Sequence, residues 1–181
     1  RELLFMQSND ATSRDIMAAS WEGEENLPVP EERIRPVVNG PDEETLGILS
    51  PDGKWLAYVS NESGRQEVFV CSYENPRMRW RVSSAEGRTP LWARDGSEVY
   101  YRIGETVMAV PVRTNQDQFR AGTPHELFRG SFFDWTGAGQ WDVASDGRFF
   151  MLRRLRGEQE DADRRVVFCL GWLAELEGTG E

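Results

Sequence analysis

Ser50-Pro51-Asp52-Gly53-Lys54-Trp55-Leu56-Ala57-Tyr58 is the stretch that decides the fold of this chain. Asp-Gly is a turn former, because Asp tolerates the turn conformation and Gly supplies positive φ. The residues after it are apolar and strand-forming. The same order returns as Ala93-Arg94-Asp95-Gly96-Ser97-Glu98-Val99-Tyr100-Tyr101 and again as Ala144-Ser145-Asp146-Gly147-Arg148-Phe149-Phe150-Met151-Leu152. Leu3-Leu4-Phe5 falls where that register would put a strand after a turn just before residue 1. Recurrence at roughly 40–50 residues marks a blade-type repeat, in which one four-stranded sheet cannot bury both faces alone.

Working outward from the three turns, the chain divides into units at about 1–40, 41–85, 86–130 and 131–181. The second is the clearest, with strands expected at 46–49, 55–60, 67–73 and 80–83 and a further turn at Glu62-Ser63-Gly64-Arg65. The third repeats the scheme at 90–93, 98–102, 106–112 and 125–128, with 113–123 read as a polar loop. The fourth has strands at 140–143, 148–153 and 166–170, split by the charged stretch 155–165. In the first unit, strands at 2–7, 15–20 and 34–38 surround an acidic, proline-containing loop, and an inner strand is missing. Runs such as Glu67-Val68-Phe69-Val70-Cys71 mix alternation with continuous apolar sequence, as strands covered on both faces do. The expected fold class is therefore all-β: a partial β-propeller of four-stranded antiparallel blades, about three and a half of them present.

Composition narrows the function classes. The 181 residues are 39% hydrophobic with seven tryptophans, which suits a packed globular fold. A net charge of −10 argues against a nucleic-acid or anionic-membrane surface, and no apolar run is long enough to span a bilayer. The start, Arg1-Glu2-Leu3-Leu4-Phe5, has no initiator methionine, so the chain reads as a piece of something longer. Cys71 and Cys169 stand apart without partners at metal-ligand spacing and read as small buried hydrophobes. No cofactor and no metal is expected.

The Asp52 segment, followed by Ser60-Asn61-Glu62-Ser63-Gly64-Arg65-Gln66-Glu67-Val68-Phe69-Val70, resembles the TolB-type, or WD40-like (PD40), β-propeller repeat. More narrowly, Trp80-Arg81-Val82-Ser83 with Gly87, Pro90 and Trp92, and the ending Val166-Val167-Phe168-Cys169-Leu170-Gly171-Trp172-Leu173-Ala174-Glu175-Leu176, are similar to the C-terminal propeller of bacterial serine/threonine protein kinases. The ending has Gly171 where that group commonly has asparagine. The resemblance implies a scaffold used for protein binding or ligand sensing. It carries over nothing catalytic: there is no Gly-rich phosphate loop, His-Arg-Asp segment or Asp-Phe-Gly motif.

Candidate sites follow from what the repeat does not use. His125 is the sole histidine, and no Gly-x-Ser-x-Gly elbow accompanies it, so it reads as a surface or edge residue. Each Asp-Gly pair offers one carboxylate where a calcium loop needs several oxygens, so these pairs read as turns. The aromatics Trp55, Tyr58, Trp92, Tyr100, Tyr101, Trp141 and Phe149 recur in register and read as packing between blades. Phe132, Phe133 and Trp135 lie in a glycine-containing loop that enters an inner strand, at the rim where propellers bind partners. They are candidate binding anchors, with plugging of a blade junction as the other role open to Trp135. Alternation puts Arg77, Arg79 and Arg81 on one face, opposite Met78 and Trp80, either to meet an acidic partner or to balance nearby carboxylates.

The expected function is a non-catalytic binding or sensing scaffold in a larger bacterial protein. Its partners would be another protein, the missing upstream blades, or a second copy completing the ring as a homodimer. The alternatives are the accessory propeller of a prolyl-oligopeptidase-like hydrolase, a lyase propeller, and a self-assembling structural module.

Overall fold

The structure is a computed structural model that describes residues 2–9, 13–21, 29–115, 118–132 and 141–152. Its three Asp-Gly turns have one geometry. Gly53, Gly96 and Gly147 sit at φ of 72°, 73° and 83°, where an L side chain costs about 1–2 kcal/mol. Their N–H groups donate back to the carbonyls of Ser50, Ala93 and Ala144 at 2.9, 2.9 and 3.0 Å. In each turn the aspartate Oδ1 accepts the N–H two residues on, from Lys54, Ser97 and Arg148 at 3.1, 3.0 and 3.2 Å. Side chain and glycine together close the reversal and launch the next strand.

The strands form antiparallel sheets around these turns. β1 (Glu2–Asn9), β2 (Ser13–Ser20) and β3 (Ile34–Val38) make a three-stranded sheet in that order. β4 (Glu44–Leu49), β5 (Trp55–Ser60), β6 (Glu67–Ser72) and β7 (Arg79–Arg81) make a four-stranded one. β8 (Arg88–Trp92), β9 (Glu98–Ile103) and β10 (Thr106–Asn115) continue into β11 (Gln118–Ala121) and β12 (His125–Arg129), both of which pair with β10. β13 (Trp141–Val143) and β14 (Phe149–Met151) are the described strands of a last sheet. Between β2 and β3 the described residues contain one 3-10 turn, Glu31–Arg33. The expected strand at 166–170 lies outside the described residues.

The reading of 113–123 as a polar loop is corrected. β10 runs on to Asn115, and β11 folds back along it with Thr114 opposite Phe119. The cause is one side chain. Phe119 is buried among Trp55, Trp80 and Trp92, with ring centroids 5.5, 5.5 and 6.5 Å away. Burying a phenylalanine is worth about 1.5–3 kcal/mol, enough to order a short polar hairpin around it.

The sheets stack face to face, which explains the apolar runs. Along β5, Trp55, Ala57 and Val59 point toward the third sheet and meet Trp92, Val99, Tyr101, Val110 and Val112. The residues between them, Leu56 and Tyr58, point the other way and meet Ile16, Ala18, Val37 and Val38 of the first sheet. β6 divides likewise, Val68 and Val70 from Phe69 and Cys71. A third cluster joins Tyr100, Val107, Ala109 and Phe128 to Trp141, Val143 and Met151. Indole N–H groups clip successive sheets: Trp92 Nε1 donates to the Ile48 carbonyl at 3.2 Å, and Trp141 Nε1 to the Thr89 carbonyl at 3.1 Å. Those carbonyls lie at irregularities in β4 and β8, where Leu46 and Thr89 take φ of 55° and 47°.

Candidate functional site

Among the described residues, no strand packs on one face of the first sheet. Leu4 packs toward the second sheet, and Met6 reaches β4, its sulfur accepting the Leu46 N–H at 3.4 Å. Alternation therefore turns Leu3 and Phe5 outward, beside their partners Ala19 and Met17 and next to Ile34 and Pro36 of β3. Leu3 is 53% exposed, and Phe5, Met17 and Ile34 are half-buried. Among the described residues β1 pairs with β2 alone, and no described strand lies along its other edge. An apolar face beside an unpaired edge is a template for another sheet or strand.

The arginine candidates lie at the outer strand of the second sheet. Arg79 pairs with Glu62 at 2.6 Å, and Arg81 approaches Glu67 at 3.5 Å. Arg77 sits in the turn before β7, apart from the strand face that holds the other two. Met78 is exposed, whereas Trp80 packs edge-on against Trp55 at 5.7 Å. The strand arginines thus meet carboxylates of their own sheet. Phe132 is half-buried against Phe128, ring centroids 5.9 Å apart, at the edge of the third cluster. Phe133 and Trp135 lie outside the described residues. His125 is exposed at the start of β12.

Two of the buried carboxylates, Glu44 and Glu67, had no sequence signal. Glu44, Ser60 and Glu67 form a cross-strand row over β4, β5 and β6, and all three are buried. Burial pushes the Glu44 carboxyl up to about 7; the Gly40 N–H at 3.1 Å opposes that shift, and the Asp15 and Asp42 charges add to it. At Glu67 burial also acts to raise the carboxyl. Hydrogen bonds from Ser63 and Arg65 and the charges of Arg81 and Arg65 outweigh it and hold Glu67 below the usual range. Burial pushes the Cys71 thiol up to about 12, which makes it a packing residue and not a nucleophile.

A cleft of about 290 Å³ opens between the first two Asp-Gly turns, lined by Ser50, Pro51, Asp52, Trp55, Trp92, Asp95, Gly96 and Thr114. A Cβ placed on Gly96 would stand 3.9 Å from Pro51 Cδ, so the two turns are near contact. Among the described residues no group of three or more His, Cys, Asp or Glu side chains could hold a metal, and no helix is long and apolar enough to cross a membrane.

No family matches the sequence, and neither does any curated protein. Solved structures do match the fold. A puromycin-hydrolyzing peptidase from Mycobacterium tuberculosis superposes with a TM-score of 0.57 at 20% identity, over 83% of this chain and 25% of that one. A prolyl endopeptidase superposes with a TM-score of 0.50 at 18% identity, over 93% and 28%. TolB from Acinetobacter baumannii is also similar, with a TM-score of 0.49 at 14% identity over 93% and 52%. The fold is a partial β-propeller. The chain spans from 25% to 52% of the length of these structures. At such identity they share the fold alone.

Seen as a propeller, the sheets are blades, with β4 and β8 the inner strands and the Asp-Gly pairs the turns from inner to second strand. The first blade has its second, third and outer strands and lacks the inner one among the described residues. The structure brings Arg79 and Arg81 together on the second blade, and leaves Phe132 on the opposite side of the third. The sequence-derived candidates are thus spread over the ring. Asp52 and Asp95 both line one cleft, a placement that follows from the stacking of successive blades.

Proposed function

We propose that this chain is a non-catalytic β-propeller scaffold for protein binding or ligand sensing, the C-terminal part of a larger bacterial protein like the kinase-linked propellers it resembles. We also propose that its working units are 1–40, 41–85, 86–130 and 131–181. The open face of the first blade carries this reading. Leu3, Phe5, Met17 and Ile34, beside an unpaired β1 edge, call for a protein surface. Upstream blades of the same protein fit that place, and a second copy completing the ring as a homodimer is the other occupant. Phe132, Phe133 and Trp135 remain the proposed rim anchors, with Arg77, Arg79 and Arg81 as a secondary contact for an acidic partner.

A second reading makes the chain the accessory propeller of a prolyl-oligopeptidase-like hydrolase. Its support is the superposition on the two peptidases, and its catalytic groups would come from outside this chain. A third takes self-assembly through the open blade as the function itself.

The experiment is the solution mass of the full chain by light scattering over a concentration series, beside a Leu3→Lys/Phe5→Lys variant. The scaffold reading expects concentration-dependent association that the variant abolishes while keeping cooperative unfolding. A chain that stays monomeric throughout, without binding an apolar dye, would overturn it. Cleavage of a prolyl anilide by the chain alone would overturn the non-catalytic part.

A further inference from the structure

The loop from β3 to β4 carries Asn39-Gly40, the one Asn-Gly pair in the sequence. β3 ends at Val38 and β4 begins at Glu44, so the pair lies in the link between the first two blades. Asn39 is exposed and Gly40 half-buried. The Gly40 N–H donates to Glu44 Oε2 at 3.1 Å, and Glu44 itself is buried. A Cβ on Gly40 would stand 2.8 Å from Glu44 Oε1, so only glycine lets the carboxyl lie this close to the main chain. Asp42 in the same loop and Asp15 on β2 repel the Glu44 charge, and Arg79 on β7 attracts it. Arg79 is already paired with Glu62 at 2.6 Å, and Arg14 of β2 with Glu43 at 2.7 Å. Tyr58 on β5 is kept neutral by burial, and Glu67 on β6 is held by Arg65 and Arg81.

We propose that Glu44 is the base for a self-modification at Asn39, in which the side-chain amide is lost and aspartate or isoaspartate is left. Glu44 takes the Gly40 N–H proton, and the freed nitrogen attacks Asn39 Cγ. The N–Cγ bond forms as the Cγ–Nδ2 bond breaks, and Nδ2 leaves as ammonia with the proton that Glu44 returns. Water then opens the cyclic imide. Cleavage at Cγ gives aspartate, and cleavage at the main-chain carbonyl gives isoaspartate. A general base must lie within about 2.6–3.2 Å of the atom whose proton it removes, and it works best when it titrates near the operating pH. Glu44 meets the first condition by its position over Gly40. It meets the second because burial raises its carboxyl to about 7. Glycine at the attacking position has no side chain to hinder the approach. Either product adds a carboxylate to the link beside Glu44 and Asp42, and isoaspartate also lengthens the main chain between the blades by one carbon. This site is separate from the open first blade, and its failure would leave that reading untouched.

The test is timed incubation of the full chain beside Glu44→Gln, with peptide mapping that separates asparagine, aspartate and isoaspartate. Gln still accepts the Gly40 N–H but cannot take its proton, so the variant keeps the loop geometry and removes the base. Asn39 should convert first among the asparagines of the parent. Its conversion should be slower by about tenfold or more in Glu44→Gln, a small part of what a positioned base contributes. In the parent the rate should rise as Glu44 ionises, through about 7, and then level off. In Glu44→Gln only the steady rise given by hydroxide should remain. Asn39→Ser should lower ammonia release to that of the other asparagines. Equal rates in the parent and Glu44→Gln, a parent rate that follows hydroxide alone, or an intact Asn39 after the urea-unfolded chain has reacted would each overturn the proposal.

Discussion

The junction between the second and third blades and the outer face of the first are built from the same kind of strand, yet among the described residues only the junction is covered by a second sheet. At the junction, Trp55, Trp80, Trp92 and Phe119 interlock and the alternate residues of β5, β6, β9 and β10 are buried. On the bare face, Leu3, Phe5, Met17 and Ile34 occupy positions of the same sort with no opposing sheet among the described residues. The difference lies in what stands opposite, since both surfaces are apolar. Stability among the described sheets accordingly resides in the junctions.

Two phenylalanines set the contrast most sharply. Phe119→Ala should cost about 3–5 kcal/mol in chemical denaturation, because it empties the space between three tryptophans. Phe5→Ala should cost less than about 1 kcal/mol, because water already reaches that ring. Equal losses would mean that the first blade is sealed too.

Glu44 tests the junction of the first and second blades through pH. Its folded carboxyl is raised to about 7, so folding favours the protonated form. That contribution is complete below the unfolded value near 4.5 and is lost as pH climbs through 7. Glu44→Gln should therefore match the parent at pH 4 and exceed it by about 2–3 kcal/mol at pH 8. Glu67 runs the opposite way: its lowered carboxyl stabilises the fold above the unfolded value, and that stability fades as pH falls through the lower folded one.

Smaller effects are expected at the turns and on the open face. Gly96→Ala should cost about 1–2 kcal/mol, for its positive φ and not for any lost contact. Leu3→Lys should change stability by under about 0.5 kcal/mol while reducing association, read by light scattering at several concentrations. A loss of association without loss of stability is what separates a binding face from a core.

The turns and most strands were legible in the sequence because Asp-Gly chemistry is local, and 34–38 and 55–60 have the bounds that were read. The β10–β11 hairpin was not, because Phe119 sits in a polar stretch and its partners come from other strands and another blade. The buried acids escaped for a similar reason: Glu44 and Glu67 open strands, where glutamate ordinarily reads as solvated. Leu46 and Thr89 give no hint of positive φ by residue type, and only the irregular pairing of the inner strands reveals it. Asp52 and Asp95 were legible as turns, but their common cleft follows from the way blades stack.

Amide hydrogen exchange on the full chain distinguishes an open first blade from a covered one. β5 and β6 should exchange only on global unfolding, whereas alternate amides of β1, on the edge away from β2, should exchange many times faster. Protection of every β1 amide to the level of β5, in a chain shown to be monomeric, would mean that the edge is already covered, and would contradict an open first blade.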